Sequence, residues 1–127
     1  MRLGLHESTT THLILQEALA ISALFTRRNG DEVRIPIEQG LRLAQTLNDP
    51  ERELRLLAGQ HIFMCHIGHF REAVEVSQRS IELARRVGSP AGIVMSEWML
   101  GAAYHLVGNQ THALQHIEKG FKQAAVH

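Results

Sequence analysis

Moved along by forty residues, the sequence falls on itself. Val33, Ala73 and Ala113 coincide, then Ile37, Ser77 and Ile117, then Gly40, Ser80 and Gly120. The same offset aligns Leu41, Ile81 and Phe121, then Ala44, Ala84 and Ala124, while Pro50 falls on Pro90 and Gly68 on Gly108. Small residues recur where two helices must approach closely, and large apolar ones recur a turn away. Such a pattern marks a helix-pair unit that cannot bury its own apolar face and stacks on a copy of itself. The 127 residues therefore read as one all-α domain, with repeats at about 8–47, 50–87 and 90–127 giving six antiparallel helices.

Turn signals separate the six segments: RNGD at 28–31, NDP at 48–50, GHF at 68–70, GSP at 88–90 and GNQ at 108–110. The fourth segment is the clearest helix. Phe70, Ala73, Val74, Ser77, Ile81 and Ala84 fall on one face, and Glu72, Glu75, Arg79, Glu82 and Arg86 lie largely opposite. Gly88 supplies a left-handed stop, and Pro90 opens the next helix. The first repeat departs from its copies. Arg28 stands where Gly68 and Gly108 do, so the first turn is expected to be displaced or enlarged by about two residues. Pro36, tolerated only in a first turn, places the start of the second helix near Arg34 or Ile35. Ser8 or Thr9 is expected to cap the first helix.

Composition excludes several classes of function. Hydrophobic residues at 44% allow a real core, and thirteen basic residues cancel thirteen acidic ones. No global field draws the chain to nucleic acid or anionic lipid, and the arginine pairs Arg27-Arg28 and Arg85-Arg86 are isolated near helix ends. The single Cys65 excludes an intramolecular disulfide and fits a reducing compartment. The opening MRLGLHESTT lacks a hydrophobic signal core, and the apolar stretch LILQEALAISALF is too short to span a bilayer. A cytoplasmic protein is expected.

QHIFMCHIGHF at 60–70 concentrates histidines around the cysteine. His61 and Cys65 are four apart and share a helix face, while His66 and His69 lie on another side. A tetrahedral zinc site cannot be converged from one helix. Cys65 falls on His105 under the repeat offset, so a site built from Cys65, His105 and His61 or His66 stands as an alternative. The favoured reading puts His61 in a helix contact usually made by a small residue, with His66 and His105 as polar surface positions. HALQH at 112–116 has chelate spacing, but a zinc protease needs glutamate where Ala113 stands, so both histidines read as solvated. Cys65 has no elbow, oxyanion loop or orienting carboxylate and reads as an inert, moderately buried thiol. No enzyme, metal or cofactor is assigned.

LGAAYHLVGNQTHALQHI resembles the tetratricopeptide repeat in Leu100-Gly101, Tyr104, Gly108 and Ala113, with Ile117 where the motif usually has an aromatic. Repeat two keeps Gly68, Phe70 and Ala73, but has Gln60-His61 for Leu-Gly and Met64 for tyrosine. The tryptophan expected three before Leu100 is Glu97, with Trp98 one position later. Ordinary repeats of the family run 34 residues; the longer ones here resemble those of bacterial signal-transduction ATPases and transcriptional regulators. The resemblance implies a right-handed α-solenoid from a longer protein, whose nucleotide-binding domain would lie upstream. No GxxxxGK[ST] occurs in the chain itself.

The family's first helices line a concave groove that holds extended peptides or helices. Carried over, its groove positions are Arg55, Ala58, Ile62, Cys65 and His66 in repeat two, and Met95, Trp98, Ala102, His105 and Leu106 in repeat three. Trp98 is the aromatic anchor among them, with burial between helices as its alternative reading. Arg55, His66 and His105 would make the groove somewhat basic, suited to an acidic segment or carboxylate. The resemblance thus implies a non-enzymatic interaction module, the sensing or scaffolding part of a bacterial regulator. Its partner would be a protein or peptide, or its own upstream nucleotide-binding domain. A second reading is homodimerisation through Ile117, Phe121 and Ala124 on the last helix. A third is a receptor for a small ligand or metal.

Overall fold

The computed structural model describes residues 5–26, 30–108 and 110–126, with side chains for 7–24, 26, 30–108 and 115–124. Six helices follow one another: α1 (Leu5–Phe25), α2 (Asp31–Thr46), α3 (Pro50–His66), α4 (Phe70–Val87), α5 (Pro90–Leu106) and α6 (Gln110–Val126). Among the described residues there is no strand. Each helix packs on the next in sequence, and α3 also touches α1 and α5. Three helix pairs are therefore stacked in one row.

The sequence punctuation acts where it stands. α3 and α5 open at Pro50 and Pro90, where Asp49 Oδ1 accepts the Arg52 N–H at 3.2 Å and Ser89 Oγ accepts the Gly92 N–H at 3.0 Å. These caps satisfy N–H groups that the first turn leaves without partners. α4 ends at left-handed Gly88, with Ser89 N–H donating to Ala84 O at 3.0 Å. The same closure recurs after α2, where Asn48 takes the left-handed role and Asp49 N–H reaches Ala44 O, and after α3 at Gly68. The face assigned to the fourth segment holds: Ala73, Ser77, Ile81 and Ala84 are buried, and Glu72, Glu75, Arg79, Glu82 and Arg86 are exposed.

The connection between α1 and α2 covers 26–30, two residues more than 67–69 between α3 and α4, as the displaced glycine predicts. Two expectations for the first repeat fail. α2 begins at Asp31, so Pro36 stands at its sixth position, not in its first turn. Only the bond to the Glu32 carbonyl is forfeited there. The helix continues because Pro36 and Ile37 are buried, and Arg34 ties the first two turns together through Asp31 at 2.7 Å and Glu38 at 3.3 Å. Ser8 and Thr9 do not cap α1, which is already helical at Leu5. Inside the helix a hydroxyl bonds backwards instead, as Thr11 Oγ1 does to the Glu7 carbonyl at 3.0 Å.

The main core cluster spans the first two pairs, and Met99, Leu100 and Ala103 are buried on α5. Leu13, Ala20, Val33, Ile37, Leu41, Leu56, Leu57, Phe63, Val76 and Leu83 are buried in one cluster. Close approach depends on small residues at the joints. A Cβ at Gly40 would sit 3.0 Å from Leu56 Cδ1, and one at Gly92 would sit 2.9 Å from Leu54 Cδ1 and 3.1 Å from Ala84 Cβ.

Candidate functional site

The first helices of repeats two and three, α3 and α5, run side by side and leave an open trough between their N-terminal halves. Its deepest part is a cavity of about 260 Å³ lined by Glu51, Leu54, Arg55, Ala58, Gly92 and Met95, among others. Gly92 and Ala58 keep the walls low, and Leu54 supplies an apolar floor. Met95 stands 55% exposed at the edge, an unbranched thioether able to adapt its shape to an incoming side chain. Hollows of about 410 Å³ near Gly68–Glu72 and about 460 Å³ near Leu47–Glu51 are larger, but are lined mainly by turn residues and charged side chains.

Three of the ten residues assigned to the groove thus share this cavity: Arg55, Ala58 and Met95. The remaining ones lie farther along the two helices. Ile62, His66, Ala102, His105 and Leu106 are exposed, and Cys65 is half-buried. Leu54 and Gly92 also line the cavity, although neither was a sequence candidate.

The expected basic character does not materialise at Arg55. Its Nε donates to Glu17 Oε1 at 2.8 Å, and Arg52 Nη1 donates to Glu17 Oε2 at 2.7 Å. Glu17 is nearly buried on α1, so one carboxylate is shared by both guanidinium groups. Glu51 adds a further negative charge to the cavity wall. An acidic ligand would therefore meet compensated arginine. Leu54, Ala58, Ala91 and Met95 make the rest of the lining mostly apolar.

His61 is buried at the α3–α5 contact and bonds the Met99 backbone. Burial holds its pKa below the ordinary histidine value, outweighing that bond. Cys65 Sγ lies 3.8 Å from His61 Nε2, and burial raises the thiol pKa. An unreactive thiol is the physical consequence. Among the described residues no three His, Cys, Asp or Glu side chains gather as a metal-ligand set, which counts against the alternative built on Cys65, His105 and His61 or His66.

Repeat three rearranges the position where the motif expects tryptophan. Glu97 occupies it and is 1% exposed. Its carboxylate joins three helices, accepting from Arg85 Nη2 on α4 at 3.2 Å and pairing with His116 Nδ1 on α6. His116 also stacks on Tyr104, ring centroids 5.4 Å apart. His116 is therefore not the solvated residue that HALQH implied, because α6 turns it onto α5. His112 lies outside the described side chains.

Trp98, one residue on, is 40% exposed and meets Phe121 edge-to-face at 5.0 Å. Its indole lies over Gly120, where a Cβ would come within 3.1 Å of Nε1. The side chain is thus half in the open and half laid on α6. It belongs with Phe121 at the end of the stack more than with the cavity beside Met95.

Stacked helix pairs of this kind define an all-α solenoid of helical repeats. A solved structure, the TPR domain of Arabidopsis FLU, is similar in fold, with a TM-score of 0.85 at 18% sequence identity over 94% of this chain and 99% of that one. No family model matches the chain, and no curated protein matches it.

Proposed function

We infer that this chain is a non-enzymatic protein-interaction module that holds a peptide or helix against α3 and α5. The carrying observation is the cavity of about 260 Å³ between two first helices, with Leu54 and Ala58 on one side, Gly92 on the other and exposed Met95 beside it. A hollow of this size takes one large apolar side chain, while the exposed helix faces beyond it offer Ile62 and Leu106 to the flanking residues. The ligand is thus a segment with an apolar anchor. The forty-residue repeats further support a sensing or scaffolding role within a larger bacterial regulator, where a neighbouring nucleotide-binding domain is one source of such a segment.

Selection of a random peptide library on the immobilised chain tests this reading. Enriched peptides should share a large apolar residue and should lose binding at least tenfold to an Ala58→Glu variant that retains the helical circular dichroism of the parent. Peptides that bind both proteins equally would place recognition elsewhere.

A further inference from the structure

The joint between α1 and α3 is built from the same repeat positions as the trough between α3 and α5. The forty-residue offset carries Ile14 onto Leu54, Ala18 onto Ala58, Arg52 onto Gly92 and Arg55 onto Met95. In the first joint both arginines reach back to α1 and share one carboxylate. Arg52 Nη1 stands 2.7 Å from Glu17 Oε2, and Arg55 Nε stands 2.8 Å from Glu17 Oε1. Arg52 Nε also pairs with Asp49 at 3.2 Å. Two cations thus answer two carboxylates there.

In the second joint no cation reaches back. α5 brings Gly92 where α3 brings Arg52, and Met95 where α3 brings Arg55, and residues 90–96 carry no charge at all. The room beside Gly92 belongs to the cavity of about 260 Å³. The copy of Glu17 is Leu57, a buried apolar residue, so nothing inside the trough asks for a charge. A carboxylate remains on the rim instead. Glu51 is exposed on the α3 wall of the cavity, and among the described residues no cation pairs with it. Its neighbours Arg52 and Arg55 are engaged by Glu17 and Asp49. The second joint lacks a long side chain and a positive charge, both of which the first joint holds.

We propose that the segment bound in the trough supplies both, setting a lysine or arginine beside its apolar anchor to pair with Glu51. The proposal rests on the peptide-binding function inferred above and names the chemistry of its ligand. The anchor occupies the room that Gly92 leaves, against Leu54 and Ala58. Its basic neighbour does at Glu51 what Arg52 and Arg55 do at Glu17. Side chains on one side of a ligand are two residues apart in an extended segment and three or four apart in a helix. The basic residue therefore falls within about four positions of the anchor. An acidic residue at that place would meet Glu51 as a like charge. The pair is solvent-exposed, so it contributes up to about fivefold in affinity.

Random-peptide selection run in parallel on the parent chain and on Glu51→Lys tests the proposal, with affinities of retained peptides read by fluorescence anisotropy. Peptides retained by the parent should carry lysine or arginine within about four residues of a large apolar one. They should weaken about threefold to fivefold on Glu51→Gln and about tenfold on Glu51→Lys, and both losses should shrink at raised salt. Selection on Glu51→Lys should enrich aspartate or glutamate at the same spacing. Each variant is checked by circular dichroism. Peptides that lose binding to Ala58→Glu but bind Glu51→Lys as well as the parent overturn the basic neighbour and leave the trough as the binding site. Peptides indifferent to Ala58→Glu as well, or a selection that retains none, overturn both.

Discussion

Where α3 lies on α2, Leu56 fills the space beside Gly40; where α5 lies on α4, Ser96 and Ser80 share a buried hydrogen bond at the equivalent place. The neighbouring position differs in the same direction. Leu57 is an apolar core residue in repeat two, and its copy Glu97 is a buried carboxylate clamped by Arg85 and His116. One joint is held by apolar contact and the other by polar groups that must each find a partner. Repeat geometry thus fixes which positions meet and leaves the chemistry of each joint free. The apolar joint tolerates imprecision, and the polar joint demands its pairs.

The sharpest way to break that comparison is to hollow out the apolar joint. Leu56→Ala should destabilise the fold by about 3 kcal/mol through lost burial and a residual cavity, read as a lowered urea midpoint with an unchanged slope. Glu97→Leu installs the repeat-two residue in repeat three. A loss of about 2 kcal/mol is expected, because His116 and Arg85 lose their acceptor, and stabilisation would show that the carboxylate is dispensable to the joint. Ser96→Ala should remove about 1 kcal/mol, and adding Ser80→Ala should restore most of it, since deleting both partners leaves no orphaned hydroxyl. A double-mutant cycle by thermal denaturation measures that recovery directly.

The smallest effect concerns pH at the α3–α5 contact. His61 has its folded pKa lowered by burial, so the unfolded chain takes up a proton more readily there than the folded one. Its contribution is fully present above the ordinary histidine pKa, about 6.5, and is lost as pH falls through that value toward the lowered one. Cys65, the titratable side chain within reach of the ring, has its pKa raised and remains a neutral thiol across this range. His61→Gln should therefore show a smaller drop in urea midpoint between pH 7.5 and 5.5 than the parent, and an equal drop in both would remove His61 as a source of acid sensitivity.

Much of the fold was legible because helix ends are written locally. Pro50, Pro90, Gly68 and Gly88 each act within a few residues of themselves, and the forty-residue offset then orders the helices. The first repeat was misread where a local rule met a tertiary exception: Pro36 sits inside α2 because burial there outweighs one missing hydrogen bond. At the candidate site, Arg55, Ala58 and Met95 could be placed in the trough from their repeat positions. The neutralisation of Arg55 could not, since Glu17 lies on α1, 38 residues away. The Glu97–His116 pair was hidden for the same reason, as it depends on how far α6 is rotated about its own axis. A motif departure at Glu97 was nevertheless visible, and a glutamate at a core position is itself a demand for a partner.

Each helix touches its predecessor and its successor, and otherwise only first helices of adjoining repeats meet. Contacts of such short sequence separation put the chain among fast folders, because no large loop must close before native contacts form. They also mean that no strap holds the ends to the middle. Opening should therefore proceed helix by helix along the row. Amide protons of α3, which touches α1, α2, α4 and α5, would then exchange at the highest free energy.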